Sequence, residues 1–156
     1  IATAFAQGLA FAIDRPVVAV SSLRALAREA FRQECAEHAV VAVDAHMGEL
    51  FLGLYSREGK DALPVQPDAL SRVEGFSLPP GRDSTDTLLA GDAWTLYPGL
   101  PRESARLAPV AVPLAGQVLA IALGSDPSAW LAPADAEPAY VRGVSAWKRR
   151  ERPAAP

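Results

Sequence analysis

The sequence has few of the residues that build disulfides or metal sites. Its 156 residues include one cysteine, Cys35, and two histidines, His38 and His46. A single cysteine forms no disulfide within the chain, and two histidines separated by an apolar stretch match no metal-ligand spacing. We therefore expect a reducing compartment, no resident metal ion and no cofactor.

Long apolar runs and an excess of positive charge are also missing. No apolar run approaches the roughly 18–20 residues that span a bilayer, and the apolar segment 1–13 lacks the basic start and cleavage site of a signal peptide. The net charge is −3, whereas a domain that wraps nucleic acid by itself usually has a basic stripe. These features predict a soluble, cytoplasmic protein that makes no membrane contact and does not bind RNA by itself.

Recognisable catalytic motifs are absent as well. The sequence has no Gly-x-Ser-x-Gly nucleophile motif, Walker loop or dinucleotide fingerprint. Asp44 and Glu49 could act as an acid–base pair across a turn, but a carboxylate at the end of a strand more often accepts hydrogen bonds from the backbone of the turn. A binding or scaffold role is the leading interpretation, and Asp44, Gly48 and Glu49 are predicted to be structural residues of the turn.

The sequence does contain enough apolar residues for a packed core, since half of them are hydrophobic. The alanine-rich segment 1–13 predicts a helix that ends before Pro16, and residues 16–20 predict a short buried strand. Ser21 and Ser22 provide the N-cap of an amphipathic helix that fades near residues 37 and 38. This pattern places Cys35 within the second helix.

A β-hairpin is the clearest feature of the middle of the chain. Residues 40–44 predict a buried strand, residues 45–48 a tight turn, and residues 49–55 the returning strand, with Gly48 able to adopt a positive φ. The remaining pattern predicts a turn at residues 56–60, a strand at 63–66, a short helix at 68–73, a loop at 77–86, a strand at 87–91 and a helix at 114–123. The whole pattern predicts an α/β chain with a mixed sheet.

One face of the first predicted helix is made of small residues. Ala4, Gly8 and Ala12 lie four apart and share that face, while Phe5 and Leu9 flank it with bulk. Such a face lets another helix approach closely, so Ala4, Phe5, Gly8, Leu9 and Ala12 are predicted to bind a partner. The same face could instead pack on the protein's own sheet, and the residues do not decide between the two.

Four stretches, in order along the chain, resemble one known family. Residues 6–23 resemble its helix ending in A-x-G-L-A, followed by a strand and V-S-S-L. Residues 43–51 resemble its I-D-A-R-M-G-E-V-Y hairpin, with His46 where the family usually has arginine. Residues 91–94 resemble its G-x-G-W region, and residues 136–148 its terminus, A-x-P-x-Y-L-R followed by W-K. The family is TsaB, also called YeaZ.

The resemblance implies both a fold and a role. It implies the actin-like, ribonuclease H-like (ASKHA) fold, in which each of two lobes is built around a mixed sheet. Members of this family lack the metal-binding histidines of the related catalytic subunit TsaD. They pair with TsaD, joined by the ATPase TsaE, to form N6-threonylcarbamoyladenosine at position 37 of tRNA. We therefore expect a non-catalytic scaffold with TsaD and TsaE as partners, tRNA contacted only through the complex, and a homodimer as a further possibility.

The strands and the G-P-G-S-F-T-G-x-R loop that open the family's sequences have no counterpart here. On this basis the first lobe is expected to be incomplete, with residues 1–38 as its remnant, residues 39–148 as the second lobe and residues 149–156 as a basic, Pro/Ala-rich tail. Apolar surface is then expected to be exposed on residues 1–13 and 17–31, and exposed apolar surface promotes association.

Two other functions stay open at this stage. An enzyme of the same fold group, a glycoprotease-like peptidase or a phosphotransferase, would need Asp44, His46 and Glu49 around the turn as its site, although a shared fold does not confer chemistry. Direct RNA binding would need the basic run of residues 148–152, which is more often simply a solvated tail.

Overall fold

The computed structural model describes residues 1–142, which contain a six-stranded sheet, a two-stranded ribbon and the helices packed around them. The helices are α1 (Ala2–Ala12), α2 (Ser22–Gln33), α3 (Ala93–Leu96) and α4 (Ala115–Gly124). The strands are β1 (Val17–Val18), β2 (His38–Asp44), β3 (Glu49–Glu58), β4 (Asp61–Pro64), β5 (Ala69–Arg72), β6 (Thr87–Ala90), β7 (Arg106–Leu107) and β8 (Trp130–Leu131). The W-K motif and the basic run of residues 148–152 lie outside the described residues.

The larger sheet is mixed and has the strand order β4-β3-β2-β6-β7. β2 and β3 form a long antiparallel hairpin, and β4 and β5 both pair antiparallel with β3, at different positions along its length. β6 then runs parallel to β2, and β7 runs parallel to β6. The chain therefore makes an antiparallel meander on one side of β2 and places two parallel strands on the other side.

β2 is buried on both of its faces, which explains why its sequence is an unbroken apolar run. Ala39 and Val41 point into a cluster with the apolar side of α2. Val40 and Ala42 point the other way, into a cluster centred on Trp94 of α3. Alternate residues of one strand thus serve two cores, as expected for a central strand that is covered on both faces.

α2 begins at the predicted cap. The Ser21 hydroxyl accepts hydrogen bonds from the backbone N–H groups of Leu23 at 3.1 Å and Arg24 at 3.4 Å, which satisfies donors that a helix start otherwise leaves unpaired. The expected exposure of apolar surface over residues 17–31 is wrong for this helix. Its apolar side, including Leu26 and Phe31, is buried against the sheet.

Several predicted elements are confirmed and others differ. The first helix, the 40–55 hairpin, the 87–91 strand and the last helix are present. The strand predicted over residues 16–20 is only Val17–Val18 and is half-buried, because its single partner is the short strand β8. Cys35 lies beyond the end of α2 and is exposed, so its placement inside a helix was wrong.

The region after the hairpin is the least well predicted. Residues 68–73 contain strand β5 instead of a helix, because Ala69–Arg72 complete a ladder along β3. β3 itself continues through the predicted turn at 56–60, because Ser56, Arg57 and Glu58 pair with β4. Partners elsewhere in the chain thus override the local helical preference of the segment. Within residues 1–142, no helix is both long and apolar enough to cross a bilayer.

A buried carboxylate joins α2 to α4. Glu29 is 2% exposed and accepts hydrogen bonds from Arg32 at 2.7 and 2.8 Å, Gln33 at 2.7 Å and Gln117 of α4 at 2.6 Å. The bonds from Arg32 are the largest cause that lowers the pKa of Glu29 from 4.5 to about 2, while burial acts in the opposite direction. The ionised form of this carboxyl group is therefore the form that the fold favours.

We expect Glu29 to make the protein sensitive to acid. A pKa that is depressed on folding contributes stability above the unfolded value of 4.5, and this contribution is lost as the pH falls towards about 2. Because Arg32 is largely exposed, we expect Glu29→Gln to lower the free energy of unfolding at pH 7 by on the order of 2 kcal/mol. Urea unfolding at pH 7 and near pH 2 measures both differences. A difference that does not shrink in acid would contradict the prediction, and Glu74→Gln, at an exposed site, is the control.

Candidate functional site

Among residues 1–142, α1 is covered on one side only. Its packed side consists of Thr3, Gln7 and Ala10, and the Gln7 amide donates a 3.0 Å hydrogen bond to the carbonyl of Ala136. The opposite side is exposed along its length and carries all five predicted partner-binding residues: Ala4, Phe5, Gly8, Leu9 and Ala12. Within residues 1–142, this face does not pack on the protein's own sheet.

The exposed face of α1 is apolar and closely approachable. Phe5 is 73% exposed and Leu9 is 53% exposed, and a Cβ atom added at Gly8 would meet nothing within 4 Å. Phe11 and Ile13 extend the apolar surface at 82% and 57% exposure. The predicted face omitted these two residues, although the uninterrupted apolar character of the segment is the signal that reveals them. A contiguous apolar surface of this kind is typical of a binding site.

The hairpin turn is held by Asp44. Its Oδ1 accepts from the His46 backbone N–H at 2.9 Å and from the Tyr97 hydroxyl at 2.9 Å, and its Oδ2 lies 3.0 Å from Nδ1 of His46. The backbone bond from His46, and then the Tyr97 bond, lower the pKa of Asp44. The same Tyr97–Asp44 bond raises the pKa of Tyr97. A carboxylate with these partners organises a turn.

Glu49 has a separate partner. Its Oε2 lies 2.6 Å from Nη2 of Arg142, and Gly48 before it has the expected positive φ, at +73°. The structure therefore brings Asp44 and His46 together, while Glu49 is engaged by an arginine. No hydroxyl or thiol of the described chain hydrogen-bonds to the His46 ring, and residues 1–142 contain no group of three or more His, Cys, Asp or Glu side chains that could hold a metal ion.

The strand order and the solved structures define the class of protein. YeaZ from Pseudomonas aeruginosa has a TM-score of 0.78 at 30% sequence identity, over 89% of this chain and 66% of that one. Another Pseudomonas aeruginosa structure, described as similar to peptidase YeaZ, has a TM-score of 0.77 at 31% identity, over 90% of this chain and 66% of that one. A three-stranded meander followed by two parallel strands belongs to the actin-like, ribonuclease H-like class.

Sequence comparisons then identify the family. The family model of TsaD, a tRNA N6-adenosine threonylcarbamoyltransferase, matches residues 1–154. The Escherichia coli (strain K12) tRNA threonylcarbamoyladenosine biosynthesis protein TsaB is 31% identical over 149 residues. The chain belongs to the TsaB/YeaZ proteins within this family.

The alignments cover different shares of this chain and of its relatives. The Escherichia coli alignment spans 92% of this chain and 64% of that protein. The TsaB of Haemophilus influenzae (strain ATCC 51907 / DSM 11121 / KW20 / Rd) is 47% identical over 53 residues, which are 34% of this chain and 22% of that protein. The chain therefore spans slightly less than two thirds of the length of the Escherichia coli protein and of the two Pseudomonas aeruginosa structures.

Proposed function

We propose that the intact protein is a non-catalytic scaffold subunit in tRNA threonylcarbamoyladenosine biosynthesis, and that α1 is its contact with the catalytic partner TsaD. The names of its TsaB relatives support the pathway. The observation that carries the contact is the exposed, uncharged face of α1 formed by Ala4, Phe5, Gly8, Leu9 and Ala12.

The shape of this face suits a second helix. Ala4, Gly8 and Ala12 have little or no side chain, so the backbone of a partner helix can approach closely there. Phe5 and Leu9 then lie beside the contact, and full burial of side chains of this size is favourable by about 1.5–3 kcal/mol each. Large apolar side chains next to a flat, small-residue strip are suitable anchors for an interface.

The remaining parts of the proposal follow from charge and from the family. A net charge of −3 is consistent with tRNA being contacted through the complex, which also includes TsaE. The same apolar face could pair two copies of this chain, so a homodimer competes with the TsaD complex. The cytoplasmic location stays a prediction, as does the division into a first-lobe remnant at residues 1–38, a second lobe at residues 39–148 and a tail at residues 149–156. Direct RNA binding through the basic run of residues 148–152 stays the weaker alternative.

An enzymatic role is the second candidate because Asp44 and His46 form a carboxylate–imidazole pair. Such pairs orient an imidazole for proton transfer. However, the His46 ring is 86% exposed, and within residues 1–142 it has no nucleophile hydrogen-bonded to it. The scaffold role therefore has the stronger support. Peptide or nucleotide turnover by the intact protein without partners would favour the enzyme instead.

We expect Gly8→Glu in the intact protein to weaken pairing with TsaD by at least about 100-fold, because an unpaired carboxylate would be buried in the contact. Co-purification and isothermal titration with TsaD measure the effect. Gly116→Glu is the matched control, since Gly116 is also helical and exposed, with nothing within 4 Å of an added Cβ. Normal pairing of Gly8→Glu, with an unchanged melting temperature, would remove α1 as the contact.

A further inference from the structure

The turn of the β2–β3 hairpin is unusual in its backbone. His46 and Met47 both have positive φ, at +62° and +59°, and Gly48 follows at +73°. Positive φ is unfavourable for residues with a Cβ atom and persists only where surrounding groups impose it. Met47 is 84% exposed, so packing of its side chain in a core does not impose this conformation. The groups that hold the turn must therefore bind it from its flanks.

Arg142 binds the turn from far along the chain. Its Nη2 donates to the carbonyl oxygen of Ala45 at 2.7 Å and lies 2.6 Å from Oε2 of Glu49. It also reaches the carbonyl oxygen of His46 at 3.5 Å, and Nη1 lies 3.8 Å from the sulfur of Met47. About a quarter of each side chain of the Arg142–Glu49 pair is exposed, so the pair is more shielded than a surface ion pair. One guanidinium thus contacts three residues of the turn and Glu49, which directly follows it.

The segment that carries Arg142 also contacts α1. This segment comprises residues 136–142. Ala136 is 2% exposed, and the carbonyl of Ala136 accepts the 3.0 Å hydrogen bond from Gln7. Farther along, Pro138, Ala139 and Val141 line a cavity of about 510 Å³ together with Ala2 and Thr3 of α1. Residues 136–142 form no helix or strand. They therefore run as an irregular segment with α1 at one end and the hairpin turn at the other.

We propose that residues 136–142 form a strap that couples the position of α1 to the conformation of turn 45–48, with Arg142 as its latch. A shift of α1 moves Ala136 and, through the short strap, the Arg142 guanidinium. The turn then loses the bonds that hold its backbone at the unfavourable φ angles. By reciprocity, anything that binds the turn in its latched form favours the present position of α1. This coupling does not depend on which partner α1 binds.

Three amide groups report on the turn. The N–H of Ala45 donates to the carbonyl of Glu49 at 2.9 Å, and the N–H of Glu49 donates to the carbonyl of His46 at 3.1 Å. The N–H of Val73 donates to the carbonyl of Gly48 at 2.9 Å. In the intact protein, we expect Arg142→Met to speed hydrogen exchange of these amides at least tenfold. Gln7→Met, which alters only the α1 end of the strap, should speed exchange of the same amides by a smaller factor, above twofold.

Control measurements separate the coupling from a general loss of stability. Arg72 lies beside the same turn, and its side chain makes no hydrogen bond in the described part of the chain. Arg72→Met should therefore change the exchange rates of the turn amides less than twofold. Core amides of β2 and β6 should exchange normally in every variant. Arg142→Lys, which keeps the charge opposite Glu49 but loses the planar fork, should give an intermediate rate.

Each result bears on one part of the proposal. Unchanged turn amides in Arg142→Met would show that Arg142 is not a latch. Faster exchange in Arg142→Met combined with normal exchange in Gln7→Met would overturn the coupling and leave a local clamp. An equal effect of Arg72→Met would show that any loss of positive charge near the turn suffices, which also contradicts the proposal.

Discussion

Gly91→Ala is expected to destabilise the protein by at least about 4 kcal/mol, a large part of the roughly 5–15 kcal/mol that stabilises a typical domain. Gly91 directly follows β6 and has a φ of +103°, and its N–H donates a 2.7 Å hydrogen bond to the carbonyl of Val110. A Cβ atom at this position would lie 2.0 Å from the carbonyl oxygen of Ala42. That oxygen belongs to the backbone of the central strand β2, which is held on both sides and has no room to move.

Two other glycines separate the causes of this effect. Gly81 also has a positive φ, at +72°, but an added Cβ meets nothing within 4 Å, and Gly99 has neither constraint. We expect Gly81→Ala to lose about 1 kcal/mol, from backbone strain alone, and Gly99→Ala to be nearly neutral. Chemical denaturation of the three variants measures the series. If Gly91→Ala is no worse than Gly81→Ala, the clash with Ala42 is not a real constraint.

Trp94→Ala is expected to lose about 3–5 kcal/mol of stability, since the substitution leaves a large cavity in the core. Trp94 is fully buried between α3 and the sheet. Its ring makes a T-shaped contact with Phe76, with centroids 6.0 Å apart, and its indole N–H donates a 2.9 Å hydrogen bond to the carbonyl of Ala90. The residue therefore supplies both apolar volume and the partner of a buried carbonyl group.

Trp94→Phe and Trp130→Ala provide the comparison. Trp94→Phe keeps much of the ring but leaves the Ala90 carbonyl without this donor, so about 1–3 kcal/mol should be lost. Trp130 is 51% exposed, and its replacement by alanine should change stability by about 1 kcal/mol or less. Urea unfolding at neutral pH gives all three values. Similar losses at positions 94 and 130 would contradict the central role of Trp94.

The hairpin could be predicted from the sequence because its signals are local. The apolar run of residues 40–43, Gly48 at the turn and the returning strand each depend on neighbours in the chain. β5 could not be predicted in the same way. Its residues have no strong strand pattern, and they are extended because β3 offers them a ladder. Pairing of this kind depends on where another segment lies in space.

The candidate site shows the same division. The small residues of α1 share a face because of helical geometry alone, so Ala4, Gly8 and Ala12 could be grouped from their spacing. The bonds of Arg142 to the turn join residues more than ninety positions apart, and no local pattern predicts them. The buried state of α2 was also missed, because the sheet face that covers it is assembled from four later strands, β2, β3, β4 and β6.

The attachment of α1 has a consequence for the order of events during synthesis. β1 pairs with β8, and Gln7 bonds to Ala136, 129 residues farther along the chain. These bonds cannot form until the later segment has left the ribosome, and contacts so distant in sequence close slowly. At about 5–20 residues per second, synthesis of these 129 residues takes about 6–26 s. During that time α1 lacks the bonds that these later residues supply, so a partner that is already folded can cover its apolar face first.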